Sequence, residues 1–396
     1  MSAGPSGSFD VAIAGAGLAG GALALLLARG GARVALLDAC RFPRDKLCGE
    51  YLSPESWGAL DRLGLSDAVA GSGYRPVRRL RLTTPRGRVL EADVVGPDGR
   101  PGIALGRSML DDLLVRGALA AGARLFEGMR VGGPIVEGGR VVGLAARHPT
   151  EGPYEVRARW NVAADGRRSG LVRRSGVVRV RDWSRPRLVG LKRHVAVDDP
   201  DGNEPADTVD LHLVPGGYVG ACRVEGALTN VCALLPESVP RRSRGDLDRA
   251  TGEVFEANPA LRRLWASSRP AGDWKTVANV RVEAATPRLG GIVYVGDAMG
   301  TVDPLGGQGM TMALLGAELL APFLFEALAG RDGDDRWQPS YERAWHRRFE
   351  RRIRLCRLFH HVLVHPALID LATVLPRHSQ RVLSFCFART RDPQPS

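Results

Sequence analysis

"FDVAIAGAGLAGGALALLLARGGARVALLDA", Phe9 to Ala39, is the stretch that decides the fold. Phe9–Ala14 is a short apolar run closed by glycine, the pattern of a buried strand. Gly15-Ala16-Gly17-Leu18-Ala19-Gly20 is G-x-G-x-x-G. Leu18 to Arg29 reads as an apolar helix stopped by Gly30-Gly31, and Arg33–Leu37 as a second buried strand with Asp38 at its end. In a strand–turn–helix–strand unit each glycine has a separate duty. Gly15 permits the tight turn, Gly17 lets the backbone approach a pyrophosphate, and Gly20 lets helix and strand pack closely. The helix N-terminus turns free N–H groups toward phosphates, and Asp38 is spaced to hold ribose hydroxyls.

Around this unit the composition is that of an ordinary globular chain. Its 396 residues are 44% hydrophobic and 25% charged, enough for a large core and two lobes. The net charge is +12, yet Lys46, Lys192 and Lys275 are the only lysines and 49 residues are glycine. The basicity therefore reads as an Arg-, Ala- and Gly-rich compositional bias. No basic tract is interleaved with aromatics, so no nucleic-acid partner is expected. Cys40, Cys48, Cys222, Cys232, Cys356 and Cys386 are scattered without a C-x-x-C pair, which suggests neither a zinc site nor a disulfide framework. A reducing, cytoplasmic setting is expected. Val11–Ala28 is uncharged throughout. Asp10 before it, the lack of a basic leader and four internal glycines argue against a signal peptide or a membrane span.

Two later motifs extend the nucleotide site. Ile292–Val295 reads as a strand, followed by Gly296-Asp297, a Pro- and Gly-rich loop, and a long apolar helix from about Met310. An acid between strand and helix can bind ribose or ribityl hydroxyls, and Gly306, Gly307 and Gly309 allow a backbone-lined surface beside a flat ring. Asp165-Gly166 follows another apolar strand, and Arg107 precedes the helical pattern of "ALGRSMLDDLLVRGALAAGA". With the first motif, these make the chain resemble the superfamily of group A FAD-dependent monooxygenases, geranylgeranyl reductases and flavin-dependent halogenases, over residues 9 to about 325.

The resemblance implies an α/β fold: a Rossmann-like FAD-binding domain with an inserted antiparallel-sheet substrate domain and C-terminal helices. The FAD-binding domain would comprise residues 9–75, 103–185 and 282–330, the substrate domain 76–102 and 186–281, and a basic helical segment 331–396. FAD would be held by Gly15, Gly17, Gly20, Asp38, Arg107 and Asp297, with Gly307 and Gly309 beside the ring. NADPH or NADH would donate electrons without a second nucleotide domain. Asp165-Gly166 would support the fold and the nicotinamide approach. The implied reaction is hydroxylation of a phenolic, polyketide or lipid-like small molecule through a flavin C4a-hydroperoxide. The alternative is reduction of carbon–carbon double bonds, as in geranylgeranyl reductases. Halogenases carry a W-x-W-x-I-P segment that is absent here.

"DKLCGEYLSP", Asp45 to Pro54, reads as a loop. The resembled reductases carry a C-G-G or C-G-E loop near the flavin ring, and Cys48-Gly49-Glu50 occupies that place. Gly49 would let backbone approach the ring. Arg44 or Lys46 would set positive charge beside reduced flavin. Glu50 would orient substrate or relay a proton, and Cys48 would donate a proton or make a small apolar contact; both are the catalytic candidates. Ser53-Pro54 reads as a helix start with Ser53 as its cap.

In the second lobe "VRRLRLTTPRGRVLEADV" suggests a hairpin, and residues 208–236 suggest three strands turning at Pro215-Gly216-Gly217 and Glu225-Gly226. Tyr218, His212 and Trp183 are pocket candidates, though such residues are commonly core. At the C-terminus Arg343, Arg347, Arg351 and Arg354 fall on one helix face, and Trp345, Phe349, Ile353 and Cys356 on another. Packing on the FAD lobe is the plain expectation. An acyl carrier protein or a membrane surface would be the partner of the basic face. His361 and His365 have helical i, i+4 spacing but no acid nearby in sequence, so no metal is expected.

Overall fold

The computed structural model describes residues 8–167, 169–171, 179–182, 188–198, 206–280, 283–286, 289–330, 335–363 and 391. The opening stretch folds into strand β1 (Phe9–Ala14), helix α1 (Leu18–Arg29) and strand β2 (Val34–Leu37). β1 pairs in parallel with β2 on one side and with β3 (Gly152–Ala163) on the other, Val11 facing both Val34 and Trp160. The strand Arg124–Phe126 extends this sheet beyond β2, and Ile292–Tyr294 pairs in parallel with β3. Two antiparallel strands, Arg140–His148 and Arg130–Glu137, continue from β3 at its other end. Val11, Ile13, Ala35 and Leu37 are at most 1% exposed. Layers cover both faces of the sheet, so its parallel strands read as unbroken apolar runs rather than alternating ones.

Helix α2 (Arg107–Ala120) packs beside α1. A Cβ on Gly21 would stand 3.1 Å from Leu114 Cβ, so a glycine in α1 permits this approach. Helix α3 (Gly309–Ala329) crosses α1 from the other side. It is long and apolar enough to cross a membrane, yet Leu314, Leu320 and Leu324 are fully buried in the protein core. Residues Val11–Ala28 likewise form core strand, turn and helix. Helix α4 (Gln338–Leu363) lies against α3 through Tyr341, Trp345, Phe349, Ile353 and Cys356. Its arginines 343, 347, 351 and 354 face outward.

The second sheet runs Ser268–Pro270, β4 (Leu188–Val197), β6, β5, Thr208–Val214, Arg79–Thr83 and Val89–Asp93, where β5 is Gly217–Arg223 and β6 is Leu228–Pro236; Lys275–Val280 also pairs with β4. The hairpin 79–93 and the three strands of 208–236 form as the sequence suggests, with Gly87 at φ 74° and Gly216 at φ 75° in the turns. Thr208–Val214 and Arg79–Thr83 run parallel because they belong to two separate excursions of the chain. A small sheet of Tyr51–Leu52, Gly102–Ala104 and Arg75–Val77 stands where the lobes meet.

Ser53 does not cap a helix. The next helix is Ser56–Leu63, with Glu55 at its N-cap and no side-chain cap. Pro54 sits in the preceding turn, and the Ser53 hydroxyl turns inward instead, 3.1 Å from Thr311 Oγ1 on α3. Tertiary packing on α3 outcompetes the local cap for that hydroxyl.

Candidate active site

The glycine turn has no room for side chains. A Cβ on Gly20 would lie 1.8 Å from Gly15 O, and one on Gly15 would lie 2.5 Å from Ala164 O. Gly15 also has φ 101°, which disfavours any other residue. Gly17, just before α1, is buried beneath a group of cationic side chains.

Cations converge on that point. The Cβ position of Gly17 is 3.6 Å from Arg44 Nη2, 3.6 Å from Arg107 Nη2 and 4.0 Å from Lys46 Nζ. Arg107, 6% exposed, forks onto Asp111 at 2.9 and 2.8 Å, and Arg44 reaches the same buried carboxylate at 2.8 Å. Burial works against the charge on Arg107, but the Asp111 carboxylate and the Cys48 sulfur raise its pKa above the ordinary value. Lys46 has no ion-pair partner for its ammonium among the described residues. Lys46 as a whole is exposed, but protein atoms crowd its ammonium, and this desolvation, then the neighbouring Arg107 and Arg44, hold its pKa below the ordinary lysine value. Such a cluster is short of negative charge and stands on a helix N-terminus, the setting for a bound pyrophosphate.

Asp38, at the end of β2, accepts from the Ala16 N–H at 2.9 Å and the Cys40 N–H at 2.9 Å, with Arg44 Nη2 at 3.3 Å. A carboxylate has about four acceptor sites, so capacity remains for ribose hydroxyls. Asp297 is brought to the same side. Its turn packs so closely on α1 that a Cβ on Gly296 would stand 2.7 Å from Ala19 Cβ. Arg167 Nε donates to Asp297 Oδ2 at 3.1 Å. A small cleft beside it is lined by Gly296, Asp297, Gly300 and Gly309, with Met312 of α3 and Trp345 of α4. Asp165 accepts from Gly170 N–H at 2.8 Å, and burial raises its pKa. It shapes the turn behind the glycine loop. Gly307, at φ 61°, lies against Tyr51, and a Cβ there would be 2.9 Å from Tyr51 Cδ1.

The loop 45–50 is pinned to the second lobe. Asn230 Nδ2 on β6 donates to Cys48 O at 3.0 Å, and Cys222 Sγ on β5 donates to Gly49 O at 3.4 Å. Gly49 leaves open space where a Cβ would sit. Cys48 is half-buried and faces the Arg107 guanidinium, inside the cation cluster. Glu50 is placed otherwise than the sequence suggests. Its side chain is fully buried and turned away from the glycine turn, held by Lys192 Nζ at 2.6 Å, His194 Nε2 at 2.7 Å and the Arg107 N–H at 3.0 Å. It sits at φ 56°, strained for a non-glycine residue. With both oxygens engaged between the lobes, Glu50 ties the loop to the second lobe. Lys192 also bonds Asp45 Oδ1 at 2.6 Å. Sequence reading missed Lys192 and His194. They lie about 140 residues from Glu50, at alternate positions on one strand, and only folding joins them.

Of the pocket candidates, Tyr218 lies at the seam, 5% exposed, in an apolar cluster with Tyr51, Ala104 and Leu305. Its hydroxyl has no hydrogen-bond partner among the described residues. His212 is core: it is 1% exposed, its Nδ1 is 2.8 Å from Thr83 Oγ1, and burial drives its pKa down to about 4. Trp183, His365 and the side chain of His361 lie outside the described residues. No cluster of metal-ligating side chains forms among the described residues.

A glycine cradle with no room for side chains, an acid at the end of β2 and unbalanced cations fit the phosphates of a bound dinucleotide, and they define a flavoprotein of the two-lobed kind. The chain belongs to the FAD binding domain family, whose model it matches over residues 8–354. It is similar to the menaquinone reductase of Mycobacterium tuberculosis, with 32% identity over 337 residues covering 79% of this chain and 76% of that protein. It is also similar to the digeranylgeranylglycerophospholipid reductase of Thermoplasma acidophilum (27% identity, 87% and 85% covered). A third relative is the 6-methylpretetramide 4-monooxygenase of Streptomyces rimosus (29%, 85% and 81% covered). Among solved structures, a flavin-dependent brominase superposes with a TM-score of 0.81 over 98% of this chain and 95% of its own. At 19% identity that likeness speaks for the fold alone. The protein is an FAD-dependent oxidoreductase.

Proposed function

We propose that this oxidoreductase reduces a carbon–carbon double bond in a lipid-like substrate, with NADPH or NADH as the electron source. The observation that carries this reading is the Cys48-Gly49-Glu50 loop, whose backbone Asn230 and Cys222 pin between the lobes, with the Cys48 side chain half-buried against the apolar core. Saturating a double bond needs a hydride on one carbon and a proton on the other. FAD, when bound, supplies the hydride. Gly15, Gly17 and Gly20 give its phosphates a backbone surface, Arg44, Lys46 and Arg107 neutralise them, and Asp38 and Asp297 hold its hydroxyls. Cys48 Sγ is the group proposed to deliver the proton to the other carbon. The contacts of Asn230, Cys222, Lys192 and His194 keep the loop from moving the thiol away. The packed apolar cluster around Tyr51, Leu305 and Tyr218 keeps water from the seam beside the loop. The two named reductase relatives support the same reading.

A second reading is oxygen insertion into a phenolic or polyketide molecule, favoured by the similarity to the 6-methylpretetramide monooxygenase. It needs no thiol donor. One experiment separates the two. Dithionite-reduced holoenzyme is mixed without oxygen with menaquinone in detergent micelles. Flavin reoxidation with an air-stable product heavier by two hydrogens is the expected result. Cys48→Ala should slow that step about 100-fold or more, the usual effect of losing a general acid. Reoxidation only with oxygen, with an oxygen atom in the product, would establish the second reading.

A further inference from the structure

We infer that the exposed face of α4 seats the protein on an anionic phospholipid surface, an inference that builds on the lipid-like substrate proposed above. Arg343, Arg347, Arg351 and Arg354 are all exposed, and Leu358 beyond them is 56% exposed. At 3.6 residues per turn these five fall within an arc of about 100° and along about 22 Å of helix. The opposite face, Tyr341, Trp345, Phe349, Ile353 and Cys356, is buried in the core, which fixes where the stripe points. Arg354 pairs with Glu350 at 3.2 Å and Arg343 donates to Ser340 at 3.0 Å, both within α4 itself. Arg347 and Arg351 have no carboxylate partner among the described residues.

The chemistry favours a lipid surface over an acidic protein. A protein interface needs an apolar centre, and this stripe offers a single exposed leucine. A straight row of arginines with one apolar residue suits a plane of phosphates with acyl chains beneath it. Guanidinium groups bind phosphate oxygens in a fork, so phosphate is also their best-matched anion. The other long apolar helix, α3, is core, so attachment by α4 is peripheral rather than spanning.

The test is flotation of the full-length holoenzyme with vesicles of phosphatidylglycerol and phosphatidylcholine, and with vesicles of phosphatidylcholine alone. Binding to the first, absence from the second and release by about 0.5 M salt are expected. The double variant Arg347→Gln/Arg351→Gln should partition about 25-fold more weakly, and Leu358→Glu should weaken binding further. These surface variants should still turn over detergent-dispersed substrate at the wild-type rate while losing turnover of vesicle-embedded substrate. Failure of the wild type to float overturns the inference. So does flotation of the double variant equal to wild type, or arginine-dependent binding to an acidic carrier protein in place of vesicles. A protein that floats through these arginines yet reduces no alkene would retain the docking surface and lose the reductase reading.

Discussion

Lys192 Nζ, on β4 of one lobe, stands 2.6 Å from Glu50 Oε1, on the loop of the other lobe that carries Cys48. Both side chains are at most 1% exposed. Lys192→Met leaves Glu50 and Asp45 buried near one another without their shared cation. Breaking a buried pair from one side costs about 3–5 kcal/mol, so urea denaturation should show a loss of that size. Adding Glu50→Gln should recover part of it. A single variant as stable as wild type would mean the pair contributes nothing.

The same pair gives a pH signature. Lys192 is held above its ordinary pKa of 10.5: burial opposes its charge, and Glu50 and Asp45 outweigh burial. Its contribution is full below that pH and is lost as pH rises through the higher folded value. Asp45 is held below its ordinary 3.8 because bonding to Lys192 outweighs burial. Its contribution is present above that pH and is lost as pH falls through the lower folded value. The stability gap between wild type and Lys192→Met should therefore be widest between about pH 5 and pH 10 and shrink on both sides. Denaturation across pH would show it; a gap that stays constant would not fit.

Lys46 should matter to FAD and not to the fold. Crowding of its ammonium by protein atoms and two neighbouring arginines disfavours its charge, though the residue is exposed, and no carboxylate pairs with it among the described residues. Lys46→Met should leave the melting temperature of FAD-free protein unchanged or raised. FAD affinity should fall about tenfold, the scale of one lost charge-assisted contact. Titration of stripped protein with FAD, followed by flavin fluorescence, reads both numbers on one sample.

Gly20→Ala places a methyl carbon 1.8 Å from Gly15 O, against backbone that cannot rotate aside. The turn has to deform, and purified protein should carry less than a tenth of the wild-type FAD. Absorbance at the flavin band relative to protein checks this; full occupancy would show that the turn is looser than its geometry.

The Tyr218 hydroxyl is buried without a partner among the described residues. A buried unsatisfied hydroxyl costs about 1–3 kcal/mol. Tyr218→Phe should therefore melt no lower than wild type when no substrate is present. A drop of several degrees would reveal a structural bond to this hydroxyl.

Much of the cofactor side was legible in the chain. Gly15, Gly17 and Gly20, Asp38 at a strand end and the strand before Gly296-Asp297 are local patterns, and backbone sterics make them so. The C-terminal helix was legible too, because Trp345, Phe349, Ile353 and Cys356 recur with helical period. Ser53 misled because a capping residue has the same sequence signature when its hydroxyl bonds across the core to Thr311.

By itself the sequence determined the nucleotide cradle, the hairpins of the second sheet and the two faces of α4. Each depends on contacts between residues close along the chain, where period and glycine placement are sufficient. The tertiary structure alone decided that Glu50 is fully buried between the lobes. It also decided that Lys192 and His194 hold it, that Arg44, Lys46 and Arg107 crowd one glycine, and that Tyr218 rather than His212 lies at the seam. Those are meetings between stretches far apart along the chain, within one lobe for the three cations and across the lobes for Glu50. A buried charge finds its partner through space, and no spacing along the chain records it.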